Sequence, residues 1–181
     1  VLNEVAEQNI DTNIWLTFYG EPLLQFDKII YGLKKCNELG LKNTFLNTNA
    51  SLMTKERFEV LANYGLKNLI YSVDGFSKET YESIRIGGNR DVIYSKIIET
   101  IKYNNQCGNK VNIEIQMIEM PQNFHEKEEF INFWKQYAVR VKVKKMLHWT
   151  QSDSEFSDFI SHFERIGCPW AFSTFVIYSN G

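Results

Sequence analysis

The chain has 181 residues, 44% hydrophobic and 23% charged, with a net charge of −2. That is enough chain for one domain with a real core, and it excludes a disordered segment. The near-neutral balance gives no electrostatic case for nucleic acid or an anionic membrane surface, and no apolar run reaches the roughly 18 residues of a membrane span.

Val1 to about Ile10 reads as the tail of a helix, followed by an aromatic and β-branched strand, Asn13–Tyr19. Gly20 permits a turn, and Pro22 suits the first turn of the next helix. Phe26, Ile29, Ile30 and Leu33 recur at helical spacing until Gly40 closes that helix. Leu41–Asn47 returns to strand and ends at Thr48-Asn49-Ala50. Thr54 caps a helix whose buried stripe is Phe58, Leu61 and Ala62. Leu69–Val73 is a third strand, closing at Asp74-Gly75, and Ser77 caps a short helix running to about Ile84. After Gly87-Gly88, a longer helix covers about Val92 to Asn104. Strand Val111–Met120, helix Glu126–Ala138 and strand Val139–Met146 follow. A short helix over Asp153–Ile166 and a last strand, Phe172–Tyr178, complete the reading.

Strand and helix thus alternate about five times with short loops, the pattern of parallel strands in an α/β layer or barrel. In such folds ligands meet the carboxyl ends of the strands. Glu21 stands on the first such junction, where a carboxylate could receive a ligand ammonium. Two strands alternate clearly. Val111, Ile113, Ile115 and Met117 fit a helix-packed face, which leaves Asn112, Glu114 and Gln116 for the opposite one. Val139, Val141 and Val143 oppose Arg140, Lys142 and Lys144. This second set reads either as a basic wall for an anionic substrate or as charge protecting a free sheet edge. His148-Trp149 follows, as a substrate contact or an aromatic plug. Cys36, Cys107 and Cys168 are too scattered for a disulfide framework or a metal motif among themselves, so a cytoplasmic location is the default. The start on Val1 and the end on Ser179-Asn180-Gly181 suggest a piece of a longer protein.

The succession Gly20-Glu21-Pro22, Thr48-Asn49-Ala50, Ser72-Val73-Asp74-Gly75 and Tyr81 to Gly88 resembles the radical S-adenosylmethionine (SAM) superfamily, and its SPASM subgroup in particular. Tyr19 replaces the first glycine of the family's usual Gly-Gly-Glu-Pro, and Ala50 the glycine of Thr-Asn-Gly. The resemblance implies a partial (β/α)6 barrel over residues 1–150, lacking its first strand, with a linker helix and the opening of a SPASM hairpin over 151–181. It implies a [4Fe–4S] cluster held by a Cys-x-x-x-Cys-x-x-Cys loop that would lie upstream of Val1. It implies reductive cleavage of SAM to a 5′-deoxyadenosyl radical that abstracts a substrate hydrogen, with an electron donor such as a flavodoxin or ferredoxin.

By the same resemblance, Tyr19, Gly20, Glu21 and Pro22 meet the methionine ammonium. Thr48, Asn49, Ser72, Asp74, Arg85 and Gln116 complete the SAM site, with Asp74 equally placed to cap its own loop. Glu114, Lys142, Lys144 and His148 are substrate candidates, and Cys168 is a candidate ligand of an auxiliary cluster. The substrate would be a peptide or a small molecule such as a sugar. Two rivals stay open: a non-catalytic relative that binds SAM or a peptide, and an unrelated barrel enzyme with phosphate or sugar substrates.

Overall fold

The computed structural model describes residues 1–8, 11–17, 19–146 and 173–177. They form a five-stranded sheet in the order β1 (Ile14–Trp15), β2 (Thr44–Thr48), β3 (Asn68–Ser72), β4 (Asn112–Glu119) and β5 (Arg140–Lys145). Every neighbouring pair is parallel. Helix α1 (Leu2–Glu7) precedes the sheet. The crossovers are α2 (Phe26–Glu38), α3 (Lys55–Asn63), the pair α4 (Lys78–Ile84) and α5 (Arg90–Gln106), and α6 (Lys127–Lys135). Parallel neighbours need such crossovers, and here the sequence order of the strands is also their spatial order.

One face of the sheet carries the core. Leu46, Leu69, Tyr71, Ile115 and Met117 are fully buried against Leu33, Phe58, Leu61, Ile97, Ile101, Phe130 and Trp134 from the helices. Expected caps are in place: Thr54 Oγ1 accepts from Arg57 N at 3.3 Å and Ser77 Oγ from Thr80 N at 3.2 Å. Asn89 caps α5 in the same way, starting that helix two residues before the expected Val92.

Three expectations are corrected. The first strand is two residues long rather than Asn13–Tyr19. It pairs only with β2, Leu16 N makes the last bond to Phe45 O at 3.1 Å, and Gly20 turns the chain at φ +79°. The second strand begins at Thr44, because Leu41 N is still held by Cys36 O at 2.8 Å beyond the end of α2. Residues 174–177 of the expected last strand form no strand. The expected helix Asp153–Ile166, His148, Cys168 and the boundary at residue 150 lie outside the described residues.

The second face of the sheet is polar and tiered. At the amino ends of the strands, asparagine amides form a chain: Asn43 donates to Asn13, Asn68 to Asn43 at 3.2 Å, and Asn112 to Asn68 at 3.1 Å. Above it Trp15 stacks on Phe45, with centroids 4.7 Å apart. Higher still, Ser72 Oγ donates to Asn47 Oδ1 at 2.8 Å, with Gln116 opposite Ser72 and Lys142 opposite Gln116. Among the described residues this face has no apolar layer over it comparable to the helical one, and it is where a ligand can lie. Among the described residues no helix is long and apolar enough to cross a membrane.

Candidate functional site at the strand tips

The carboxyl ends of four strands are tied together by two acidic side chains. Glu21 is the first. It caps the 3-10 turn Pro22–Gln25, where Oε1 accepts from Leu23 N at 3.1 Å. The same oxygen accepts from Thr48 Oγ1 at 2.6 Å, and Oε2 accepts from Asn49 N at 2.9 Å. One carboxylate therefore joins the β1 tip to the β2 tip. A carboxylate offers about four lone-pair positions. Three are used, two on Oε1 and one on Oε2, which leaves Oε2 one position for a ligand cation. Pro22 is buried and occupies the first position of the turn, where a missing N–H costs nothing.

The β2 tip departs from glycine. Ala50 is fully buried and sits at φ +65°. A left-handed alanine costs about 1–2 kcal/mol. Nearby bonds hold it there: Ala50 N donates to Thr48 Oγ1 at 3.2 Å, and Ser51 N donates to Asn49 Oδ1 at 2.9 Å. Thr48 is thus committed to Glu21 and Ala50, and Asn49 caps its own turn.

Asp74 is the second tie. It is buried just past β3, and its Oδ1 accepts from Ile118 N on β4 at 3.0 Å. Its Oδ2 pairs with Arg85 Nη2 at 2.5 Å. Both expected roles of Asp74 meet here, since it holds its own loop and also aims a cation whose side chain is 35% exposed. The turn around it admits only glycine at the next position. A Cβ on Gly75 would lie 2.6 Å from Tyr81 N, closer than any carbon–nitrogen contact allows. Tyr94 Oη donates to Gly75 O at 2.7 Å, and Asn123 Nδ2 to Asp74 O at 2.9 Å.

Sequence reasoning missed Glu126, which anchors the loop after β3. Its carboxylate accepts from Phe76 N at 2.9 Å, Ser77 N at 3.2 Å, Thr80 Oγ1 at 2.8 Å and Ser77 Oγ. Burial alone would raise its pKa, but the Ser77 and Thr80 hydroxyls and the two amides outweigh it and hold the group below the ordinary carboxylate value. Glu119 is also lowered, chiefly by Lys145 at 2.7 Å and, against some desolvation, by Lys127 at 3.3 Å. A carboxylate depressed on folding adds stability above its unfolded value and loses it as pH falls through the folded value. Urea unfolding should therefore show stability falling on acidification from about pH 5. Glu126→Gln should flatten that acid limb; an unchanged limb would remove Glu126 from the account.

Buried side-chain atoms with no partner include Gln116 Oε1, in β4, and Thr17 Oγ1, two residues past β1. An unmade bond at a buried acceptor costs about 1–3 kcal/mol, so such an atom points to a missing group. Glu114 is occupied by Arg140 Nε at 3.1 Å. Lys142 and Lys144 lie on the same face, beside Gln116 and Ile118, and are exposed. Desolvation of the Lys144 ammonium, then the Lys142 charge, lower its pKa, with Glu114 opposing. Tyr19 is largely exposed at the entrance. Asn47, Thr17 and Trp15 were not anticipated; the alternation of Phe45, Asn47 and Asn49 was the available signal.

The geometry fits SAM, an amino acid joined to a nucleoside. Glu21 has room for an ammonium, Arg85 is a donor for a carboxylate, and Gln116 needs a donor. Among the described residues it does not fit an iron–sulfur cluster. Cys36 is buried in α2. Cys107 follows α5, near the amino end of β4 and so far from the tips. Among the described residues no three metal-ligating side chains converge.

An all-parallel, open α/β sheet with a polar inner face and acid-tied strand tips defines a partial-barrel domain. The chain belongs to the radical SAM superfamily, whose family model matches residues 1–133. GTP 3′,8-cyclase of Clostridium botulinum is 30% identical over 131 residues, covering 71% of this chain and 39% of that protein. The Aquifex aeolicus GTP 3′,8-cyclase is 30% identical over 147 residues, covering 78% of this chain and 43% of its own length. Streptococcus suis SuiB, solved bound to S-adenosylmethionine, superposes with a TM-score of 0.56 at 25% identity, covering 74% of this chain and 30% of SuiB. This chain therefore spans well under half the length of these relatives. The expected fold class, an open partial (β/α) barrel, is the one observed.

Proposed function

We propose that this chain is the SAM-binding core of a radical SAM enzyme that oxidises or rearranges a peptide or small-molecule substrate by hydrogen abstraction. The observation that carries the reading is the unpartnered Gln116 carbonyl, opposite Ser72 near the tips where Glu21 keeps one acceptor position and Arg85 is aimed by Asp74. Glu21 and the tip backbone at Tyr19, Gly20 and Pro22 would hold the methionine amine, and Arg85 its carboxylate. Gln116, with Ser72 and Asn47, would hold the nucleoside side. When bound, SAM would supply a sulfonium whose C–S bond breaks on one-electron reduction, releasing methionine and leaving the hydrogen-abstracting fragment. This chain's own residues would bind and orient SAM. The reducing cluster, its cysteines and an electron donor such as a flavodoxin or ferredoxin would come from outside these 181 residues. Cys168 would serve only an auxiliary cluster completed elsewhere.

Superfamily membership and the SAM-bound SuiB likeness support this reading. A second SuiB structure, bound to the precursor peptide SuiA, has the same fold at 24% identity, in keeping with a peptide among the substrate options. The full-length protein, reconstituted with iron and sulfide and reduced, is expected to convert SAM to 5′-deoxyadenosine. Binding of S-adenosylhomocysteine without any cleavage would instead favour the non-catalytic relative. No binding at all would overturn the cofactor assignment.

A further inference from the structure

Strand β5 carries four consecutive or alternating cations: Arg140, Lys142, Lys144 and Lys145. Arg140 is paired with Glu114, and Lys145 with Glu119 on the other face. Among the described residues no carboxylate pairs with Lys142 or Lys144. Both stand on the polar face, opposite Gln116 and Ile118, toward the strand tips. Two residues apart on one face, their Cα atoms are about 6.6 Å apart at the usual strand rise. The buried, unpartnered Gln116 Oε1 lies beside Lys142 in the register.

We propose that Lys142 and Lys144 form the anion subsite for the substrate, and that the anion is a phosphate group on a small molecule. The proposal rests on the strand-tip cleft being the substrate site. Two adjacent ammoniums match the double charge of a phosphate. Lysine acts as a point charge suited to phosphate, whereas flat bidentate capture of a carboxylate favours arginine. The arginine of this strand is already engaged by Glu114. Charges that merely guard a free edge need not stand at the strand tips, yet Lys142 and Lys144 lie opposite Gln116 and Ile118 toward the carboxyl end of the sheet, where ligands of such folds bind.

The test is calorimetry on the full-length protein with sodium tripolyphosphate, GTP and an Asp/Glu-rich peptide, alongside S-adenosylhomocysteine. Lys142→Gln and Lys144→Gln should each weaken tripolyphosphate and GTP about tenfold, the size of one charged hydrogen bond. Both should leave S-adenosylhomocysteine unchanged. Lys142→Arg with Lys144→Arg keeps the charge and should retain most of the affinity, and it supplies a folded protein should the glutamine variants not fold. Lysine-dependent binding of the phosphates without any S-adenosylhomocysteine binding would sink the cofactor reading and leave this one standing. Equal phosphate affinity in all variants, with self-association of the glutamine forms, would show edge protection and overturn the proposal. Preference for the acidic peptide would overturn it too.

Discussion

Glu21→Ala in the full-length protein should lower 5′-deoxyadenosine formation by about 100-fold, equivalent to about 2.7 kcal/mol of transition-state stabilisation. The loss has two sources. The ligand ammonium loses a charged acceptor, worth about 1.5–3 kcal/mol. Leu23 N, Thr48 Oγ1 and Asn49 N also lose their partner, so the β1 and β2 tips part. Glu21→Gln separates these sources. Its carbonyl oxygen can serve Leu23 and Thr48, but its amide would face Asn49 N, donor against donor. Stability should fall less than in the alanine variant, while affinity for S-adenosylhomocysteine falls as far. Lower stability with unchanged affinity in both variants would make Glu21 a structural tie only.

Asp74→Ala should be the most destabilising substitution at the site, by about 2–3 kcal/mol in urea unfolding. It leaves the Ile118 amide without its acceptor and the Arg85 guanidinium without its carboxylate. Arg85 is partly exposed, so solvent recovers some of the loss. Asp74→Asn keeps an oxygen for Ile118 N and should recover about half of the stability while leaving Arg85 unaimed. Its expected signature is a raised KM for SAM with a smaller change in kcat. An asparagine variant with wild-type KM would show that Asp74 does not position Arg85.

Local sequence made the framework legible because its signals are short-range. The alternation in β4, the caps at Thr54 and Ser77, and the turn at Gly20 each follow from neighbours within a few residues, and each is found where expected. What the sequence hid is long-range. Glu21 reaches Thr48, Asp74 reaches Ile118, and Glu126 reaches back to Phe76, each across a whole crossover. Nothing in the local pattern of Glu126, at the start of a helix, tells that it will cap another one. The strand at Trp15 was overread because aromatic, β-branched residues favour pleated backbone whether or not a partner strand continues beside them.

The amide chain from Asn13 through Asn112 reaches four strands and stops short of β5. Like a hinge pin through the floor of a half-cylinder, it fixes the spacing of those strands at the end away from the chemistry. Any breathing of the wall that admits a large guest is thereby directed to the rim and to the fifth stave, the one element the pin does not pass through.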